Sequence, residues 1–118
     1  MKDSLVEVGM IDWARVAELR SEIGAEGFAE VLDLFLDEVE GVVMRLGQRP
    51  DKLEEDLHFL KGSAWNLGFA AFGAQCQDGE RKCAVNQQAL VDVAAVIDCY
   101  NRSKEQFMAR VDEFCRAA

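Results

Sequence analysis

One stretch of this chain concentrates side chains that can do chemistry: Glu54-Glu55-Asp56-Leu57-His58-Phe59-Leu60-Lys61-Gly62-Ser63-Ala64-Trp65-Asn66-Leu67-Gly68. Leu53, Leu57, Leu60, Ala64 and Leu67 step through it by four, three, four and three, the spacing of one buried helix face. With that seam at zero on a helical wheel, His58 falls at about 140°, Lys61 at about 80°, Gly62 at about 180° and Trp65 at about 120°. His58 therefore points away from the core. Lys61 and Gly62, three and four residues later, are its neighbours on one exposed face.

Such a face suits phosphoryl chemistry. Imidazole is largely neutral near pH 7, so a ring nitrogen is free to act as a nucleophile. A phosphoryl group placed on it brings about two negative charges, and Lys61 is a mobile cation within reach of those oxygens. Gly62 removes a side chain where the phosphoryl group and a partner must approach. Glycine in mid-helix costs about 1 kcal/mol relative to alanine, so its presence asks for a reason. The bland alternative is a surface histidine beside a surface lysine, with Gly62 easing helix packing. Three such residues on one face favour the chemical reading.

The elements that must hold this face are all helical in pattern, and no strand pattern competes. The first helix opens at Ile11-Asp12, where Asp12 is a good N-cap; Val16, Leu19 and Ile23 form its buried face and Gly24 suits its end. The second runs from about Gly27 to Gly47, with Phe28, Leu32, Phe35, Val39, Val42 and Leu46 as its seam and an acidic outer face of Glu30, Asp33, Asp37, Glu38 and Glu40. Pro50 stops it. Asp51 then offers a cap for the third helix, with Glu54 in capping-box spacing, and Gly68 ends that helix. Phe69, Phe72, Cys76, Gly79 and Cys83 mark a fourth helix. Asn86 can cap a fifth, whose seam is Leu90, Val93, Ile97, Tyr100, Phe107, Val111 and Phe114, interrupted by Lys104. If continuous, that helix spans about 45 Å. Four amphipathic helices with short connections and a shorter leading helix predict an all-α fold: one domain over residues 1–118, an antiparallel four-helix bundle with an N-terminal cap helix.

Composition narrows the function classes. Thirteen basic and 22 acidic residues give a net charge of −9, and no basic patch offers a nucleic-acid footprint. No run approaches a membrane span, and the Met1-Lys2-Asp3-Ser4 start lacks an apolar signal region, so a cytosolic protein is expected. No glycine-rich phosphate loop is present, and 118 residues leave no room for a nucleotide-binding sheet beside the helices. Cys76, Cys83, Cys99 and Cys115 lack zinc-site spacing and read as small buried hydrophobes.

The run His58-Phe59-Leu60-Lys61-Gly62-Ser63-Ala64-x-x-Leu67-Gly68 resembles the signature of histidine-containing phosphotransfer (HPt) domains of bacterial and fungal two-component phosphorelays. The resemblance extends over nearly the whole chain, from the Ile11-Asp12-Trp13 helix to the helix holding Cys76 and Glu80. It implies a four-helix bundle that carries a phosphoryl group on His58, with Lys61 steadying that group and Gly62 leaving space. It also implies the partners: a response-regulator receiver domain, and a hybrid or sensor histidine kinase. No cofactor is expected on this chain, since the Mg²⁺ and most transition-state stabilisation belong to the receiver. A monomer is expected, because no apolar face is left over. Glu80, 22 residues after His58, matches a position where chemotaxis-kinase members of this family carry a glutamate bonded to the imidazole and several phosphorelay members carry glutamine. Glu80 can therefore orient the ring, or be an ordinary exposed acid. Gly79 departs from the family's larger apolar residue, and Trp65 from its small one; Trp65 is either part of the docking surface or packed on a neighbouring helix. The alternative function is an HPt-like helical adaptor that carries no phosphate. A free-standing phosphohistidine phosphatase or kinase finds no support, since no ATP site is present.

Overall fold

The computed structural model describes residues 10–115, and among these there is no strand. Helix α1 spans Trp13–Ile23, α2 Ala25–Arg45, α3 Leu53–Leu67, α4 Ala70–Ala84, α5 Val93–Arg110 and the short α6 Asp112–Cys115. Helices α2 to α5 form the bundle, and α1 packs across the end where α3 turns into α4.

Local chemistry explains most boundaries. The Asp12 carboxylate accepts from the Arg15 N–H at 3.1 Å and caps α1, an arrangement contributing about 1 kcal/mol. Gly24 ends α1 at φ 99°. Gly68 ends α3 in the left-handed region at φ 83°, as helix ends favour. Its carbonyl accepts from the Asp12 N–H at 2.7 Å, and the Arg15 guanidinium donates to the Asn66 carbonyl at 3.2 Å. These contacts tie α1 to the turn that closes the α3–α4 hairpin. At the same end Trp13 stacks on Phe107 and Phe114, with centroids 5.7 and 5.2 Å away, and Arg110 lies over its ring.

The core follows the predicted seams closely in α3, where Leu53, Leu57, Leu60, Ala64 and Leu67 are all buried. Phe69, Phe72, Tyr100 and Phe107 add a cluster of tilted rings between α4 and α5. Cys76 and Cys99 are buried and Cys83 and Cys115 half-buried, all as free thiols. Burial pushes the Cys76 thiol up to about 12, with Cys99 and Glu80 adding to the effect, so it behaves as a hydrophobe.

Four expectations are corrected. Asp51 does not cap α3: residues Pro50–Lys52 form a separate 3-10 turn, and Lys52 precedes the helix without a side-chain cap. In α2 the buried residue of the middle turn is Leu36, with Phe35 only half-buried, because a straight helix at 3.6 residues per turn drifts across a strict seam. Asn86 does not cap the last long helix. It takes a positive φ of 61° just after α4, Gln88–Leu90 form a second 3-10 turn with Leu90 exposed, and Asp92 caps α5 through the Ala95 N–H at 3.0 Å. The long final helix is also shorter than expected: α5 has 18 residues, about 27 Å, and is separated from α6 at Val111.

Candidate functional site

Helix α3 carries His58 on its solvent side, with 69% of the side chain exposed. Its Nδ1 lies 2.6 Å from Oε2 of Glu80 on α4. The other Glu80 oxygen, Oε1, is 2.8 Å from Lys61 Nζ. One carboxylate from α4 thus holds two side chains that α3 presents one turn apart. The hairpin geometry makes this possible: α3 and α4 pack side by side, so a residue 22 positions later in sequence comes level with His58.

Leu57 and Gly79 set that packing. Gly79 is buried in α4, and a Cβ there would stand 2.9 Å from Leu57 Cδ1. The space that a side chain at position 79 would take is therefore filled by Leu57, the residue just before His58. The close approach brings Glu80, the next residue of α4, to the imidazole edge.

The electrostatics of Glu80 favour one tautomer of the ring. Burial, the largest influence on Glu80, pushes its carboxyl up, yet Lys61 and His58 together hold it below the usual carboxylate range. Glu80 is therefore ionised near neutral pH and is an acceptor only. A neutral His58 ring then keeps its proton on Nδ1 to donate to Glu80, and Nε2 carries the free lone pair. Nε2 is the ring atom remote from Glu80 on a largely exposed side chain.

Gly62 lies one turn beyond His58 on the same face. A Cβ added there would meet no atom within 4 Å beyond its own helix backbone. Intramolecular packing does not explain this glycine, in contrast to Gly79. Trp65, another turn on, is both exposed and packed: 42% of it is open, while its six-membered ring rests against α4 at Gly73.

Three features escaped the sequence reading. The Lys61–Glu80 pair left no local signal, since its partners stand on different helices. Asp56 sits among acidic neighbours yet is buried, with Arg49 3.4 Å from its Oδ1. The available signal was its register, three after Leu53 and four before Leu60. The third is a half-buried cluster between α2 and α5, where Glu40 accepts from the hydroxyl of the buried Tyr100 at 2.9 Å and also pairs with Lys104. Lys104 had stood out only as a break in a seam.

Among the described residues no group of acids, histidines and cysteines could hold a metal ion, and no helix is long and apolar enough to cross a membrane. A family model described as the Hpt domain matches residues 30–115, well over half of the chain, from within α2 to the end of α6. No curated protein and no solved structure gives a match.

Proposed function

This chain belongs to the Hpt domain family, and from that premise we propose that it accepts a phosphoryl group on His58 Nε2 from a receiver-domain aspartate, or from a hybrid histidine kinase, and passes it to a response-regulator aspartate. The observation that carries this reading is the His58 Nδ1–Glu80 contact at 2.6 Å. It supports a proton on Nδ1 donated to Glu80, and with it Nε2 as the nucleophile of an exposed side chain.

The step balances simply. The Nε2 lone pair attacks phosphorus, the bond from phosphorus to the acyl oxygen of the aspartyl phosphate breaks, and the aspartate leaves as a carboxylate with the electron pair. No proton moves. The ring becomes a phosphoimidazolium that still carries its Nδ1 proton, and its new positive charge faces the Glu80 carboxylate. Glu80 thus orients the ring and favours the charged state that forms. Lys61 supplies the cation for the phosphoryl oxygens, which requires it to exchange Glu80 for the phosphoryl group. Gly62 leaves the layer beside the ring empty for the incoming receiver. The reverse step donates the group, with neutral imidazole leaving.

In this reading the chain is a carrier without a nucleotide site or cofactor of its own. The receiver brings the Mg²⁺, and transfer is mostly positioning and charge neutralisation. Its partners being soluble signalling domains, the cytoplasm is its place of action, as a monomer that meets each partner in turn.

The test is incubation with a receiver domain charged by acetyl phosphate and Mg²⁺. The chain should take up label that is lost in acid and kept in alkali, as a phosphoramidate behaves. A folded chain that takes no label from any receiver is an adaptor, not a carrier.

A further inference from the structure

Trp65 follows His58 by seven residues on α3. Two helical turns return it to within about 20° of the same bearing, about 10 Å along the axis. A protein interface of standard size covers about 800 Å² on each partner, a disc of about 16 Å radius. A receiver patch of that size centred near Nε2 reaches Trp65 as well.

The indole is built to be covered. It is 42% exposed, yet it is not loose. A Cβ on Gly73 would stand 3.0 Å from Cε3 and Cζ3 and 3.1 Å from Cδ2, so the benzenoid ring lies directly on the α4 backbone at a residue that is itself buried. Among the described residues no acceptor takes its Nε1–H. A large ring held in one place before binding loses little conformational entropy on contact. A free indole N–H beside it adds direction. Tryptophans with these properties carry a large share of binding energy at protein interfaces.

We propose that Trp65, seated on Gly73, is a specificity-determining anchor for the receiver: its indole enters a shallow apolar pocket on the receiver, and an acceptor at the pocket rim takes the Nε1–H. This rests on the phosphocarrier reading and adds to it a contact that the chemistry at His58 does not require. The receiver that fits presents a small apolar depression two helical turns from its reactive aspartate. A receiver with a bulky or charged residue there is excluded by clash or by burial of an unpaired charge.

The experiment uses the full chain and the acetyl-phosphate-charged receiver domain that labels it. Transfer rates are followed against receiver concentration. Trp65→Ala should raise the half-saturating concentration about tenfold and leave the rate at saturation within about twofold, since Trp65 touches no reacting atom. Trp65→Phe keeps a ring on Gly73 but drops the N–H, and should raise it about threefold. A second readout needs no change at Trp65. Trp13 is the other of two tryptophans, so Trp13→Phe leaves Trp65 as the chain's sole tryptophan; with a tryptophan-free receiver and excitation selective for indole, its quenching by acrylamide should fall at saturating receiver. Unchanged quenching, or an unchanged half-saturation in a folded Trp65→Ala chain, overturns the proposal while the carrier reading stands. If Trp65→Ala does not fold, the quenching result decides. Failure of every receiver to label the wild-type chain overturns both readings together.

Discussion

Two places in this bundle use the same parts. At the α3–α4 face, Glu80 holds a ring residue and a lysine one turn apart, His58 and Lys61. At the α2–α5 contact, Glu40 does the same for Tyr100 and Lys104. Both glutamates titrate below the usual carboxylate range: Glu40 because Lys104 and Tyr100 donate to it against burial, and Glu80 because Lys61 and His58 together outweigh burial, the largest single influence on it. The difference lies in the ring. Tyr100 is 2% exposed; its hydroxyl has one job, and burial together with Glu40 raises its pKa. His58 has a second nitrogen, and its side chain is 69% exposed. The same triad pins two helices together when its ring is buried; when its ring is open it leaves a ring nitrogen facing solvent, the atom that the proposed carrier function uses. Shape and exposure decide between structure and chemistry, not the set of residue types.

The largest expected effect is at Gly62, which has no counterpart beside Tyr100. Gly62→Gln should fold and lose transfer almost completely, since a side chain there occupies the receiver's approach. Gly62→Ala should stabilise the chain by up to about 1 kcal/mol, because nothing is displaced. Gly79→Ala should instead lower the melting temperature, its Cβ pressing on Leu57. A thermal melt and a transfer time course on each variant check both; unfolding of Gly62→Gln would make that glycine a packing residue after all.

Next come the lysines. Lys61→Ala should slow transfer by at most about a hundredfold, from loss of a charge-assisted contact of about 1.5–3 kcal/mol. Lys104→Ala should leave the rate unchanged. Equal effects from the two would erase the distinction between the triads.

The glutamates invert that order in stability. Glu40→Ala leaves the buried Tyr100 hydroxyl without its acceptor and should cost about 1–3 kcal/mol by urea denaturation. Glu80→Ala should cost less, about 1 kcal/mol or under, since its partners reach water.

The smallest effect is in pH. The folded Glu80 carboxyl titrates below its ordinary value of 4.5, so its contribution to stability is present above that pH and is lost as pH falls through the folded value. Glu80→Gln removes this dependence. The stability gap between the two chains should narrow on acidification below about pH 4.5, measured by denaturation at a series of pH values; a gap that widens contradicts the assignment.

Much of this was legible in sequence because helical period reports burial directly. The α3 seam and the outward bearing of His58 need only residue spacing, and Asp12 and Gly68 announce helix ends by their own chemistry. Asp51 and Asn86 failed as caps for a physical reason: a short polar residue also favours turns, and here turns intervene before the helices begin. The Lys61–Glu80 and Glu40–Tyr100 contacts were out of reach because they join different helices, where register depends on packing. Gly79 and Gly73 illustrate this. Each makes sense only beside the side chain that fills its place, Leu57 and Trp65.

The proposed transfer turns on one nitrogen, and the most direct test is to replace its ring. His58→Gln keeps a polar side chain on an exposed position and should match the wild-type circular dichroism spectrum and melting temperature. Offered a charged receiver domain, it should take up no label, while the wild-type chain yields a single peptide carrying the phosphoryl group at His58. Normal labelling of the folded His58→Gln chain would contradict the account.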